Sequence, residues 1–426
     1  RSSDLLVFRG VLELTFADGS TRRYGTNTTD WKAGIAGPVR HAAIFDGEEY
    51  DARMAGCSDG ADNPNIDQGL SAPSVSREYA GIIVPENGAE VYQLDELALK
   101  PQRAYVYSRT ESAADDAYGK IVIDRDYNAD DLDGKGAIVV RPGEHLVIDF
   151  GQNCAAVPAF RFKAGEGTRL SCLPAELLND GNGAKSRGMD GPEGSIHRRN
   201  LRIHDNSIRL DYTFADSPKA VDYTPRCTFF GYRYLDITAT GEVTIQRIQS
   251  VPVSSITPEM ETGRITTGND LVNQLISNTI WGMRSNYLSV PTDCPQRNER
   301  LGWTADTQVF AETGTFFANT NRFFHKWLRD LRDSQSSEGG FPGVAPPGQY
   351  GSGPREYMRL GWADAGIIVP WTVWKQFGDP SIVEESWQSM VRYMNHIGST
   401  KYDHNALSKE NGNYQWGDWL SYEPLD

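Results

Sequence analysis

Two hydrophobic rhythms divide the chain. Up to about residue 255 the apolar positions come in short runs, several of them alternating with polar residues. Val11–Phe16 sets Leu12, Leu14 and Phe16 on one face and is followed by Asp18-Gly19, a hairpin turn signal. Ala137–Val140 and Leu146–Phe150 are joined through Pro142-Gly143, and Leu210–Phe214, Tyr232–Ile237 and Val243–Val251 each lie near Gly, Pro, Asn or Asp. Short strands so punctuated predict β-sandwiches rather than βαβ units. No GxGxxG follows a strand, so no nucleotide site is implied. Ser58–Ser76 and Asn179–Gly194, rich in Gly, Asp, Asn and Ser, read as long surface loops.

From about Thr257 the period becomes helical. A helix is expected after Gly268-Asn269-Asp270, carrying Leu271, Leu275, Ile276, Ile280 and Met283. Asn321–Ser336 lines up Phe323, Phe324, Trp327, Leu328 and Leu331 on one face. Trp362–Phe377 is a further candidate, with Pro370 a kink. Beyond Asp379-Pro380, which reads as a helix start, Val383, Trp387, Met390, Val391 and Met394 form an apolar stripe. We therefore expect a β-sandwich domain over 1–135, a second over 136–256 and a helical domain over 257–426, with about five helices in the last.

Composition narrows the partners. The net charge is −15 with no basic run, which disfavours nucleic acid. No apolar run approaches the roughly 20 residues that span a bilayer, so no membrane partner is expected. Cys57, Cys154, Cys172, Cys227 and Cys294 are widely spaced, without CxxC, and the histidines form no HExxH; neither a disulfide framework nor a metal site is expected. The 10 Trp suit a carbohydrate site, although most tryptophans serve packing.

The densest chemistry lies in Pro291–Asp306, PTDCPQRNERLGWTAD. Pro291, Pro295 and Gly302 argue for a loop, with a helix beginning near Thr304 as its cap and Asp306 in the first turn. Were helical geometry to extend backwards, Glu299, Trp303 and Asp306 would share a face. Glycoside hydrolysis needs one carboxyl that donates a proton to the leaving oxygen and a second that activates water or attacks. Arg and Asp supply charged hydrogen bonds to sugar hydroxyls. Spacing alone equally allows a salt-bridged loop at a helix start.

That stretch resembles the signature of bacterial α-L-rhamnosidases of the (α/α)6-barrel type; Asn298 stands at a variable position and Ala305 replaces a common glycine. Phe323–Gln335, Gly339–Pro342, Gly361–Pro370 and Gly417–Leu420 resemble later blocks of the family, and Gly47–Arg53, Asp149–Asn153 and Phe230–Tyr234 resemble its preceding β domains. The resemblance implies N-terminal β-sandwich domains followed by the first part of an (α/α)6 barrel. It implies Glu299 as general acid, with Asp293, Arg297, Trp303 and Asp306 binding a terminal rhamnose and Trp362 and Trp419 packing on the sugar. Asp364 and Asp418 are weaker candidates, equally read as local caps, and Cys294 reads as structural. No cofactor or metal is implied, and the partner would be a rhamnose-containing glycoside or polysaccharide.

The family inverts configuration with a second Glu far downstream. Since about five of twelve helices are legible, that base is expected beyond residue 426, in a longer bacterial protein. Two alternatives stand beside this one: another (α/α)-barrel glycosidase or lyase, and a carbohydrate-binding remnant without catalysis.

Overall fold

The computed structural model describes residues 10–34, 37–57, 88–111, 117–132, 136–180, 189–201, 208–347 and 361–398. Trp419, Asp418, all of Ser58–Ser76 and residues 181–188 of the Asn179–Gly194 stretch lie outside these residues. The order expected from the rhythm holds: β-rich first, helical afterwards.

The β-rich region centres on one 12-stranded sheet. Its spine runs Val39–Ala43, Gly47–Asp51, Arg209–Thr213, Arg169–Ala175, Phe230–Ala239, His145–Ala164, Val243–Ser254 and Tyr92–Gln93. Gly47–Asp51 pairs with Arg209–Thr213 in parallel; the other pairs along this spine are antiparallel. Arg103–Thr110 and Ile121–Asn128 also join it, so strands from both sides of residue 135 share hydrogen bonds. Short strands were expected, yet His145–Ala164 runs for 20 residues and Val243–Ser254 for 12. One face of the sheet buries Leu146, Ile148, Phe160, Phe162, Leu170 and Val243 completely or nearly so. Ile138–Val140 pairs with Val243–Ser254. The Asp18-Gly19 hairpin forms as read, with Gly19 at φ +80°, but its two strands stay exposed and apart from the large sheet.

Six helices occur among the described residues: the single turn α1 (Ala129–Leu132), then α2 (Asp270–Asn286), α3 (Thr304–Phe317), α4 (Asn321–Asp333), α5 (Ala365–Phe377) and α6 (Ser381–Ile397). Asn269 starts α2 by accepting from the backbone N–H of Leu271 and Val272. The α4 stripe is buried as its spacing predicts, with Phe323, Phe324 and Trp327 sealed from solvent. In α6 the face is rotated by about one residue. It turns Ile382, Ser386, Ser389 and Tyr393 inward and leaves Trp387 56% and Met394 55% exposed. The reason is polar: Arg332 of α4 donates to the Ser386 hydroxyl, Gln335 to the Ser389 carbonyl, and the Tyr393 hydroxyl to Asp364. Small serines let α6 approach α4 closely, and those bonds select the face. Asp379, not Pro380, satisfies the α6 start, its Oδ1 accepting from the Ser381 amide and hydroxyl.

The two regions are tied by polar contacts where α2 meets the sheet. The Ala155 amide donates to the Ser285 hydroxyl, and the Ser255 amide donates to the Tyr287 carbonyl. No helix of the described residues is long and apolar enough to cross a membrane.

Candidate active site

The loop between α2 and α3 carries the chemistry, and its shape follows from a few local demands. Gly302 passes so close to Ala345 that a Cβ there would lie 2.2 Å from the Ala345 carbonyl oxygen. Only glycine permits that approach, and it lets Ala345 donate to the Gly302 carbonyl. Trp303 is extended (φ −62°, ψ 126°), so α3 does not reach back to Glu299. Thr304 does not cap the helix either: it is the first helical residue, and its hydroxyl and amide both donate to the Gly343 carbonyl.

The acid and the aromatic nevertheless meet, through the bend of the loop. Trp303 Nε1 donates to Glu299 Oε1 at 2.9 Å, while Arg297 Nη2 lies 2.6 Å from Glu299 Oε2. Both carboxyl oxygens thus have a fixed donor. Arg297 also reaches Asp293 Oδ2 at 3.8 Å. Asp293 Oδ1 accepts from the Leu301 amide at 2.8 Å and so closes the loop on itself. Burial pushes the Asp293 carboxyl above the usual range; hydrogen bonds from Cys294 and Leu301 pull it back, and the charge of Glu299 adds to the rise. Asp306 stands more open on the first turn of α3, and what burial it has, reinforced by Glu299, pushes it up as well.

Asp293 and Asp306 share a cavity of about 250 Å³ with Tyr287, Thr292, Thr307 and Phe310. That is slightly below the roughly 300–1,000 Å³ usual for ligand pockets. Cys294 is buried, and burial pushes its thiol up to about 12, which removes it as a nucleophile. Asp293, Cys294 and Glu299 bring ligand atoms within 4.8 Å of one another. With a protonated thiol, no histidine and Arg297 already on Glu299, that trio makes a poor metal cage.

Of the residues singled out in the sequence, Asp293, Arg297, Glu299 and Trp303 form one contact chain, and Asp306 flanks it. Trp362 is buried in the turn before α5, whose Gly361 carbonyl accepts from Gln308 of α3. Asp364 serves its own turn: its carboxylate accepts from the Gly361 amide and the Tyr393 hydroxyl. Two pairings at the loop escaped sequence reasoning. Glu176, at the end of a sheet strand, accepts from Asn153 and Asn200 and feels the charge of Arg297. Arg300 anchors the loop in the β-rich region. Neither pairing leaves a sequence signal, because the partners are distant along the chain.

The family model of the bacterial α-L-rhamnosidase six-hairpin glycosidase domain matches residues 260–426, and that of the bacterial α-L-rhamnosidase concanavalin-like domain matches residues 140–254. Residues 140–254 and 260–426 thus match domains of bacterial α-L-rhamnosidases. It is 31% identical over 412 residues to an α-L-rhamnosidase of Streptomyces avermitilis, covering 96% of this chain and 34% of that protein. An α-L-rhamnosidase of Formosa agariphila is 28% identical over 417 residues, covering 97% of this chain and 38% of the relative. The solved structure of a Streptomyces avermitilis α-L-rhamnosidase complexed with L-rhamnose superposes with a TM-score of 0.73 at 29% identity, over 97% of this chain and 34% of that one. The chain thus spans about a third of the length of the curated relatives it matches.

Proposed function

We propose that the protein hydrolyses terminal α-L-rhamnose residues from glycosides, with Glu299 as general acid. The observation that carries this reading is the double hold on Glu299, by Trp303 Nε1 and by Arg297. A general acid has to hold its proton, reach the leaving oxygen and keep one orientation; the Trp303 bond meets the last demand, while Arg297 favours the ionised form and in this reading passes to the sugar hydroxyls when substrate binds. Relatives named α-L-rhamnosidases match nearly all of the chain, which supports the substrate class.

In this reading Asp293, Arg297 and Asp306 take the hydroxyls of the rhamnose ring by charged hydrogen bonds. The faces of Trp303, Trp362 and Trp419 take its apolar C–H surface and 6-deoxy methyl. The route is inverting, so a second carboxylate activates water across the sugar at roughly 6.5–9.5 Å from the acid. Glu299→Gln is the direct test: release of L-rhamnose from an alkyl α-L-rhamnoside should fall by at least about 10²-fold, and full retained activity would remove Glu299 from the role. Proton NMR of the first-formed rhamnose should detect the inverted anomer.

A further inference from the structure

Arg300 combines two features that work against stability. Its backbone sits at φ +50°, the left-handed region that non-glycine residues avoid. Its guanidinium is buried, with no carboxylate within ion-pair distance among the described residues and with Nη2 lacking a hydrogen-bond partner there. Burial pushes this arginine down to about 10. A cation placed so is costly, and an apolar residue would pack the same space with less penalty.

What the guanidinium touches gives it a purpose. Nη1 donates to the carbonyl of Phe229 at 3.1 Å and to that of Ile44, both in the β-rich region. The group lies 4.2 Å over the Phe229 ring. Its Nε donates to the Arg297 carbonyl at 3.1 Å, and the Arg297 side chain holds Glu299. Beside it, Gly231 lies so close to the loop that a Cβ there would come within 2.7 Å of the Gln296 amide nitrogen. A chain of contacts therefore runs from the sheet through Arg300 and Arg297 to the acid.

We propose that Arg300 is a positioning residue, clamping the catalytic loop to the β-rich region and fixing where Glu299 stands. The β-rich region is then a working wall of the active site rather than an appended domain. The proposal rests on the glycosidase reading above. Lysine is a poor replacement for Arg300, because one ammonium cannot stand both where Nε meets the Arg297 carbonyl and where Nη1 meets those of Phe229 and Ile44.

The test uses Arg300→Lys and Arg300→Met in the whole protein, with two readouts. Steady-state kinetics on an alkyl α-L-rhamnoside should show kcat lowered by about 100-fold, the scale of an ångström-sized misplacement. KM should rise by no more than about tenfold, since the loosened loop also carries the sugar-binding Asp293 and Arg297, so that the loss in kcat is the larger effect. Amide exchange over residues 293–304 should accelerate by about tenfold or more, while the strand His145–Ala164 is unchanged. A kcat near wild type, or unaltered loop exchange, would overturn the clamp. Should neither variant fold, Phe229→Leu removes only the ring beneath the guanidinium; faster loop exchange with a kcat loss of about fivefold supports the clamp, and no change in either overturns it. A wild-type protein that releases no rhamnose would refute the glycosidase reading alone, and loop exchange would still decide the clamp.

Discussion

The large sheet and the 291–306 loop obey opposite rules. In the sheet, apolar side chains such as Phe160 and Phe162 are sealed inside and each charge has a partner: Arg103 with Asp126, Arg233 with Asp149 and Arg161 with Asp222 nearer the surface, and the buried Asp211 and Asp236 with Arg169 and His145. In the loop, charges are packed among one another. Asp293 and Asp306 are pushed up, Arg300 is pushed down, and its backbone is left-handed. The sheet is arranged for stability. The loop spends some of it to hold a carboxyl between an indole and a guanidinium, as functional sites do.

The sharpest way to break that contrast is a pair of variants with opposite effects. Glu299→Gln should lower kcat by about 10³–10⁴-fold, or about 4–5.5 kcal/mol of barrier, while the unfolding midpoint stays close to wild type. Phe162→Ala should do the reverse. It should cost about 3–5 kcal/mol of stability in denaturant unfolding while kcat per folded molecule holds. A stability loss in Glu299→Gln comparable to that of Phe162→Ala would erase the distinction.

Asp293→Asn separates the two currencies within the loop. Asparagine can still accept the Leu301 amide but carries no charge beside Glu299. Turnover should fall by about 100-fold, since a charged contact to substrate is lost. Stability should rise. A carboxyl raised in the folded state binds its proton more tightly than in the unfolded chain, so wild-type stability declines as pH climbs above the ordinary Asp range. The unfolding midpoint of Asp293→Asn should therefore exceed wild type by more at pH 8 than at pH 4. Equal gaps at both would contradict the assigned cause.

The smallest effect belongs to the sheet. His145 Nδ1 lies 2.9 Å from the buried Asp236 carboxylate, which raises its affinity for a proton against the opposing effect of burial. A raised histidine stabilises the fold at pH below its unfolded value near 6.5, and that contribution fades as pH rises through the folded value. His145→Gln should lower the melting temperature by about a degree or two at pH 5.5 and by less at pH 8.5. A gap that widens with pH would mean the pair is not charged as described.

Much of this contrast was legible before the structure. Local periodicity placed α2 and α4 and the Asp18-Gly19 hairpin, and the density of charge in Pro291–Asp306 located the loop. Three features were not legible, for one physical reason: they depend on partners far away in sequence. The α6 face is chosen by Arg332, Gln335 and Asp364, not by its own apolar stripe. Glu299 and Trp303 converge through a loop bend set by the Gly302–Ala345 approach, not through helical spacing. Arg300 owes its place to the Phe229 and Ile44 carbonyls, which lie far from it along the chain.

The central claim is that Glu299 gives its proton to the leaving oxygen, and leaving-group dependence tests it most directly. The comparison is between Glu299→Gln and wild type on two rhamnosides: a nitrophenyl glycoside, whose leaving group departs with little protonation, and an alkyl glycoside, whose leaving group needs it. The account predicts that kcat/KM for the alkyl glycoside falls at least about 100-fold further than for the nitrophenyl one. Equal losses on both substrates would contradict it.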